Sequence, residues 1–131
     1  MRRPLVAACV LLAIAGCSKM PRPEALPQSY ETGKASYYGS EFEGRKTASG
    51  ELYDGDELTA AHRTLPFGTR IRVVNLTNDK SVEVVVNDRG PHAKGRIVDL
   101  SRKAAKEIDM IGAGVVRVRL EVLATPKADA R

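Results

Sequence analysis

Tryptophan is absent from the sequence, and aromatic residues of all kinds make up only 5 % of it. Neither a Trp-lined saccharide groove nor a platform for stacking nucleic-acid bases is expected from such a chain. Cysteine occurs only at Cys9 and Cys17, and histidine only at His62 and His92. No glycine loop of the phosphate-cradling kind is present, "TASGE" around Ser49 lacks the pattern of a nucleophile elbow, and no repeat recurs at solenoid periods. Nor does one sign of charge dominate. The formal charge is +5, and it becomes +3 once Arg2 and Arg3 are set aside with the leader described next. A polyanion such as nucleic acid is therefore not an expected partner.

What is present begins with "MRRPLVAACVLLAIAGC". Two arginines precede an apolar run from Leu5 to Ala15, which is too short for an ordinary membrane span and reads as a secretory leader. Its last four residues, Ile14–Ala15–Gly16–Cys17, resemble a bacterial lipobox, whose cysteine is lipidated and becomes the first residue of the mature protein. Cys9 would leave with the leader, and acylation would consume Cys17, otherwise a lone thiol in an oxidising compartment. Ser18 is not the aspartate of inner-membrane retention. The expected location is the outer membrane of a Gram-negative cell, lipid-anchored and facing the periplasm.

The expected organisation is a leader over 1–16, a lipidated cysteine and proline-containing tether over 17–32, one domain over 33–123 and a frayed tail over 124–131. The domain reads as short strands: Gly33–Gly39, Glu57–His62, Thr69–Leu76, Lys80–Asp88, Gly95–Ser101 and Gly114–Leu123. Thr77–Asn78–Asp79 supplies turn chemistry between the third and fourth. "SRKAAKEIDM" reads as one helix, with Ser101 as its cap and Gly112 as its close. Strands at this spacing with one helix predict a small, mainly β barrel.

Within "VEVVVNDRGP", Val82, Val84, Val86 and Asp88 share one strand face, and Gly90–Pro91 ends the strand. A carboxylate in phase with three valines is either paired, a turn-former, or chemically used. Asp99, before Leu100–Ser101, reads as a structural residue bonding a cap or loop. Tyr37 and Tyr38 point to opposite faces, so one can be core and the other can stack on a ligand. Asp88, His92 and His62 would be a metal set only if Gly90–Pro91 did not break the helix needed to align the first two.

"ASYYGSEFEGRKTASGELYD", "LTAAHRTLPFGTRIRVVNL", "VNDRGPHAKGRIVDLSRKAA" and "VRVRLEVL" together resemble the rare lipoprotein A (RlpA) family. The resemblance implies a six-stranded double-psi β-barrel. It also implies a lytic transglycosylase acting on peptidoglycan glycan strands, preferably those stripped of peptide stems, with no cofactor and no metal. It points to Glu51 in the TASGE block, His62 in the TAAH block and Asp88 in the NDRGP block. Tyr38, Thr47, Ser49 and Arg89 are the candidate substrate contacts. A lytic transglycosylase needs one acid that can then act as base, because the muramic acid's own 6-hydroxyl attacks C1. Asp88 is expected in that role, with Glu51 and His62 in support. The alternatives are an expansin-like module that binds wall polysaccharide without cutting it, and a hydrolase that uses water with Glu51 as second carboxylate. A single subunit is expected.

Overall fold

The computed structural model describes residues 30–126. The leader, Cys17, most of the expected tether and all but the start of the tail lie outside them. Six strands form in chain order: β1 Tyr30–Tyr37, β2 Thr59–His62, β3 Arg70–Asn75, β4 Ser81–Asp88, β5 Arg96–Leu100 and β6 Val116–Ala124. One helix, α1 Arg102–Glu107, lies between β5 and β6. The strands close on themselves in the order β1-β5-β2-β4-β3-β6. The β1–β5 and β2–β4 pairs are parallel and the others antiparallel. This is the small barrel that the strand spacing predicts, with the six-stranded double-psi form that the family resemblance implies.

Alternation builds the interior. Val82, Val84 and Val86 of β4 are buried, as are Ile71 and Val73 of β3 and Val116, Val118, Leu120 and Val122 of β6. Ala104, Ala105, Ile108 and Met110 join the same core from α1 and the residues after it. Each buried valine, leucine, isoleucine or methionine side chain contributes about 1.5–3 kcal/mol. The β3–β4 hairpin turns where expected, with Asp79 in the left-handed region at φ 63°. Buried Asn75 locks the turn: its Oδ1 accepts from Thr77 N at 2.9 Å, and its Nδ2 donates to the Ile108 carbonyl at 2.9 Å.

Some boundaries differ from expectation. β1 begins at Tyr30, inside the expected tether, because Tyr30–Thr32 pair with β6 opposite Glu121, Leu120 and Arg119. These β1 residues are exposed, so they carry no apolar alternation to announce a strand. Ser101 does cap α1, its Oγ accepting from Ala104 N. The helix ends at Glu107, however, and Asp109 rather than Gly112 takes the left-handed conformation beyond it, at φ 55°. Glu121 lies on the polar phase of β6 yet is buried, because Arg72 Nη1 and Arg119 Nε each donate to its carboxylate at 2.9 Å.

Candidate active site

β4 carries Asp88 to the rim of the barrel, where the chain turns through Gly90 at φ 126° into Pro91. A side chain at Gly90 would be strained at that φ. Asp88 is half-buried and well supplied with donors. Its Oδ1 accepts from Ala48 N at 2.8 Å and Arg89 N at 2.9 Å, and its Oδ2 accepts from the Tyr38 hydroxyl at 2.5 Å. The bond from Arg89 N is the one a turn-forming aspartate makes. The other two come from distant segments and fasten the 44–51 loop and the end of β1 to this carboxylate.

Tyr38 packs against Tyr53 with ring centroids 4.5 Å apart, and edge-on against Phe42 at 5.4 Å. Burial, then the bond to Asp88, push its phenol well above the ordinary tyrosine range, so it keeps its proton and donates it to Asp88. Tyr37 faces the other way, its hydroxyl donating to the Ile111 carbonyl at 2.9 Å. The two tyrosines thus divide between cleft and core.

A second carboxyl faces the same cleft. Asp99 of β5 is opposite Ala61 of β2, which is opposite Asp88 of β4. The two acids therefore stand on strands flanking β2, with backbones about 9–10 Å apart at ordinary strand spacing. Across the other seam Asp99 is opposite Ser36 of β1, whose Oγ donates to its Oδ1. Burial raises the pKa of Asp99 above the usual carboxylate range, and the Ser36 bond and the charge of Arg96 offset this only in part. The helix cap belongs to Ser101, so Asp99 is not held in the barrel to end a helix. The sequence marks Asp99 only as a structural residue before Leu100–Ser101. The available signal was an acid between two aliphatics, Val98 and Leu100, both of which are fully buried. Asp88, Asp99, Tyr38 and Arg89 line a cleft of about 500 Å³, a volume suited to a small ligand or a segment of a polymer.

The remaining candidates fall around this cleft. Thr47 and Ser49 shape the loop that delivers Ala48 N to Asp88: Thr47 Oγ1 donates to the Glu51 carbonyl at 2.7 Å and lies 2.9 Å from Ser49 Oγ. Glu51 opens instead onto an adjoining hollow with Phe67 and Asn87, where its Oε1 accepts from Asn87 Nδ2 at 3.2 Å. His62 is 5 % exposed and lines neither space. Its Nδ1 accepts from Thr64 N and Leu65 N, each at 3.1 Å, and its Nε2 meets Glu31 Oε1 at 2.8 Å. An Nδ1 that accepts two N–H bonds leaves the ring proton on Nε2, directed at Glu31. The His62 carbonyl accepts from Arg89 Nη1 at 3.2 Å, and the Arg89 guanidinium lies 4.1 Å over the Phe67 ring. The structure thus gathers Asp88, Tyr38 and Arg89, puts Thr47 and Ser49 behind them, and keeps Glu51 and His62 apart. Among the described residues, no three His, Cys, Asp or Glu side chains stand close enough to hold a metal ion.

Two carboxyls with unlike surroundings in one cleft are suited to acid–base work. Comparison with known proteins places the domain in a family. A family model described as "Lytic transglycolase" matches residues 30–120. The chain belongs to the lytic transglycolase family. Both carboxyls and the whole cleft lie within the matched span. Among lytic transglycolase relatives, the Endolytic peptidoglycan transglycosylase RlpA of Pasteurella multocida is 55 % identical over 91 residues, covering 70 % of this chain and 31 % of that protein. The protein of the same name from Campylobacter jejuni is also 55 % identical over 91 residues, covering 70 % of this chain and 33 % of its own. The chain thus spans about a third of the length of these curated relatives. The Streptomyces papain inhibitor shares the fold, with a TM-score of 0.61 at 23 % identity over 75 % of this chain and 97 % of its own.

Proposed function

We propose that this lytic transglycolase domain cleaves the bond between MurNAc and GlcNAc in peptidoglycan glycan strands, leaving 1,6-anhydroMurNAc ends. The observation that carries the reading is the Asp88–Asp99 pair in one cleft of a domain that belongs to this family. The names of the 55 % identical relatives support the substrate and the reaction class.

The environments of the two acids favour a division of labour different from the one expected from sequence. Asp99, with its raised pKa, is suited to hold a proton near neutral pH and deliver it to the glycosidic oxygen as the bond to C1 breaks. Positive charge builds on C1 and the ring oxygen. Asp88, accepting three hydrogen bonds from fixed donors, is suited to act as the anion facing that charge. The 6-hydroxyl of the same muramic acid then bonds to C1, and its proton passes to the carboxylate that Asp99 has become. No water enters, and the donor is regenerated. Tyr38 orients Asp88, and Thr47 and Ser49 hold the loop against it. Arg89 and the backbone of His62 fix the cleft floor. Glu51 takes a supporting place in the adjoining hollow, within reach of a longer strand.

The decisive test is mass spectrometry of products from peptide-free glycan strands, with Asp99→Asn and Asp88→Asn beside the parent. Anhydro-ended fragments are expected from the parent, with rates falling about 10²–10⁴-fold in Asp99→Asn. Reducing-end fragments would point to a hydrolase. Binding without any fragments would point to an expansin-like module.

The same reading includes lipidation at Cys17 and an outer-membrane anchor facing the periplasm, supported by Ile14–Ala15–Gly16–Cys17 and Ser18. One subunit suffices for the chemistry, since one chain supplies the whole cleft. In cells fed an alkyne-tagged palmitate, label is expected on the parent and absent from Cys17→Ala. Label persisting on that variant would rule out this anchor.

A further inference from the structure

The loop over 89–95 joins β4 to β5, and β2 lies between those two strands. β2 runs parallel to β4 and antiparallel to β5, so the end of β2, the end of β4 and the start of β5 share one rim. The loop therefore crosses over the end of β2, where Arg63 follows His62. The Arg63 guanidinium meets it at three points. Its Nε donates to the Pro91 carbonyl at 2.7 Å, and its Nη2 donates to the carbonyls of Ala93 at 2.7 Å and Arg96 at 2.8 Å. In return, Arg89 at the start of the loop donates to the His62 carbonyl. Arg63 lines neither the cleft nor the adjoining hollow. Every side-chain hydrogen bond it makes to a described residue goes to this loop and its exit into β5.

One polar side chain of the loop faces the cleft without a partner. His92 is exposed and lines the cleft with Asp88 and Asp99. It sits between Pro91 and Ala93, the two loop residues whose carbonyls Arg63 holds. Among the described residues, its ring makes no hydrogen bond and no ion pair. It is nevertheless close enough to Asp99 for its charge, when present, to oppose the effect of burial there. A neutral imidazole offers one donor and one acceptor, the pairing that sugar hydroxyls and acetamides need. Closing the barrel does not require the Arg63 bonds, because β2 pairs with β4 and β5 through its own backbone. What they fix is the course of the loop, and with it the place of His92 in the cleft.

We propose that Arg63 is a positioning residue for the cleft, stapling the loop so that the His92 imidazole meets the hydroxyl or acetamide groups of the bound sugar. This rests on the reading of the cleft as a peptidoglycan site. Arg63 does not reach the substrate; it acts through His92, which does. The staple depends on shape as well as charge. A guanidinium holds its N–H groups in one plane and in fixed directions, and so can serve three carbonyls at once. An ammonium is a point charge on a flexible stem and does not reproduce that fork. Losing the staple leaves the imidazole to be ordered at the moment of binding, which weakens affinity and leaves the two carboxyls in place.

Histidine occurs only at His62 and His92, so substituting His92 assigns every imidazole C–H signal in an NMR spectrum. The full chain carrying Asp99→Asn, which slows turnover, is titrated with a peptide-free MurNAc–GlcNAc oligosaccharide. The His92 signals are expected to move saturably, with the buried His62 ring as internal reference. In the same background, His92→Ala is expected to weaken binding about three- to tenfold, the worth of one neutral hydrogen bond. Arg63→Gln should displace the His92 signals before sugar is added and weaken binding by about the same factor, and Arg63→Lys should follow it. Arg63→Gln combined with His92→Ala should bind no more weakly than His92→Ala alone, because the two act as one unit. Should Arg63→Gln fail to melt cooperatively, Arg63→Lys takes its place in the cycle. His92 signals that ignore the sugar, undiminished binding by Arg63→Gln or Arg63→Lys, or additive losses in the double variant overturn the proposal. Cleavage by the parent with His92 signals unmoved would leave the transglycosylase standing and this role refuted. Moving His92 signals with no cleavage by the parent would do the reverse.

Discussion

Asp88 and Asp99 differ in what surrounds them more than in where they sit. One is met by three donors, and the other is met by one hydroxyl and by apolar burial. The raised pKa of Asp99 has a consequence for stability as well as catalysis. The folded chain holds this proton more tightly than the unfolded chain, so the associated stability is fully present below the ordinary carboxylate pKa of about 3.9. It is lost as pH climbs through the raised value. Asp99→Asn can still accept from Ser36 and cannot ionise. Its melting temperature is expected to exceed the parent's at pH 7, and the gap should close as pH falls through the carboxylate range. A gap of constant size, or a variant less stable at pH 7, would refute the burial account of Asp99. Asp88 was legible because it falls in phase with a valine stripe and next to Gly90–Pro91. Asp99 was not, because an acid just before a Ser-capped helix resembles ordinary capping chemistry. Only the register across β4, β2 and β5 shows that it faces Asp88. His62 stood out in the sequence as a rare residue, yet its ring is spent on the Thr64–Leu65 turn and on Glu31.

The elements follow from short-range signals where those signals are strong. Alternation marked β3, β4 and β6, and turn residues marked the hairpin. Ser101 shows how much one cap residue can carry. Its Oγ accepts from Ala104 N, donates to the Glu57 carbonyl at 2.6 Å and is approached by Thr59 N. It therefore joins α1 to the entry of β2, the strand between the two acids. Ser101→Ala is expected to lose about 1–3 kcal/mol in urea titrations, because a cap and a buried bond vanish together. A loss below about 0.5 kcal/mol would mean that the helix start does not depend on it. The start of β1 was illegible for a physical reason: its first residues are held by backbone pairing with β6 and bury little. The burial of Glu121 was equally hidden, since Arg72, which helps neutralise it, comes from a strand far away in sequence.

At the scale of the molecule, closure depends on pairings that no local pattern encodes. Composition and strand spacing suggested a barrel, but the parallel β1–β5 and β2–β4 seams were available only through family resemblance. The last seam joins β1 to β6, with Tyr30 opposite Glu121. The first and last strands of the domain are thus neighbours, and the route in and the route out lie side by side. Such a unit can be spliced into a host polypeptide at a single point without prying the host apart. It can also be re-threaded. A circular permutant that bridges the two ends with a short Gly/Ser linker and opens between the exposed Gly112 and Ala113 is expected to fold with the parent's circular dichroism and a cooperative melt. An unfolded permutant would show that the order in which the strands are made, and not only their final pairing, is required to close the barrel.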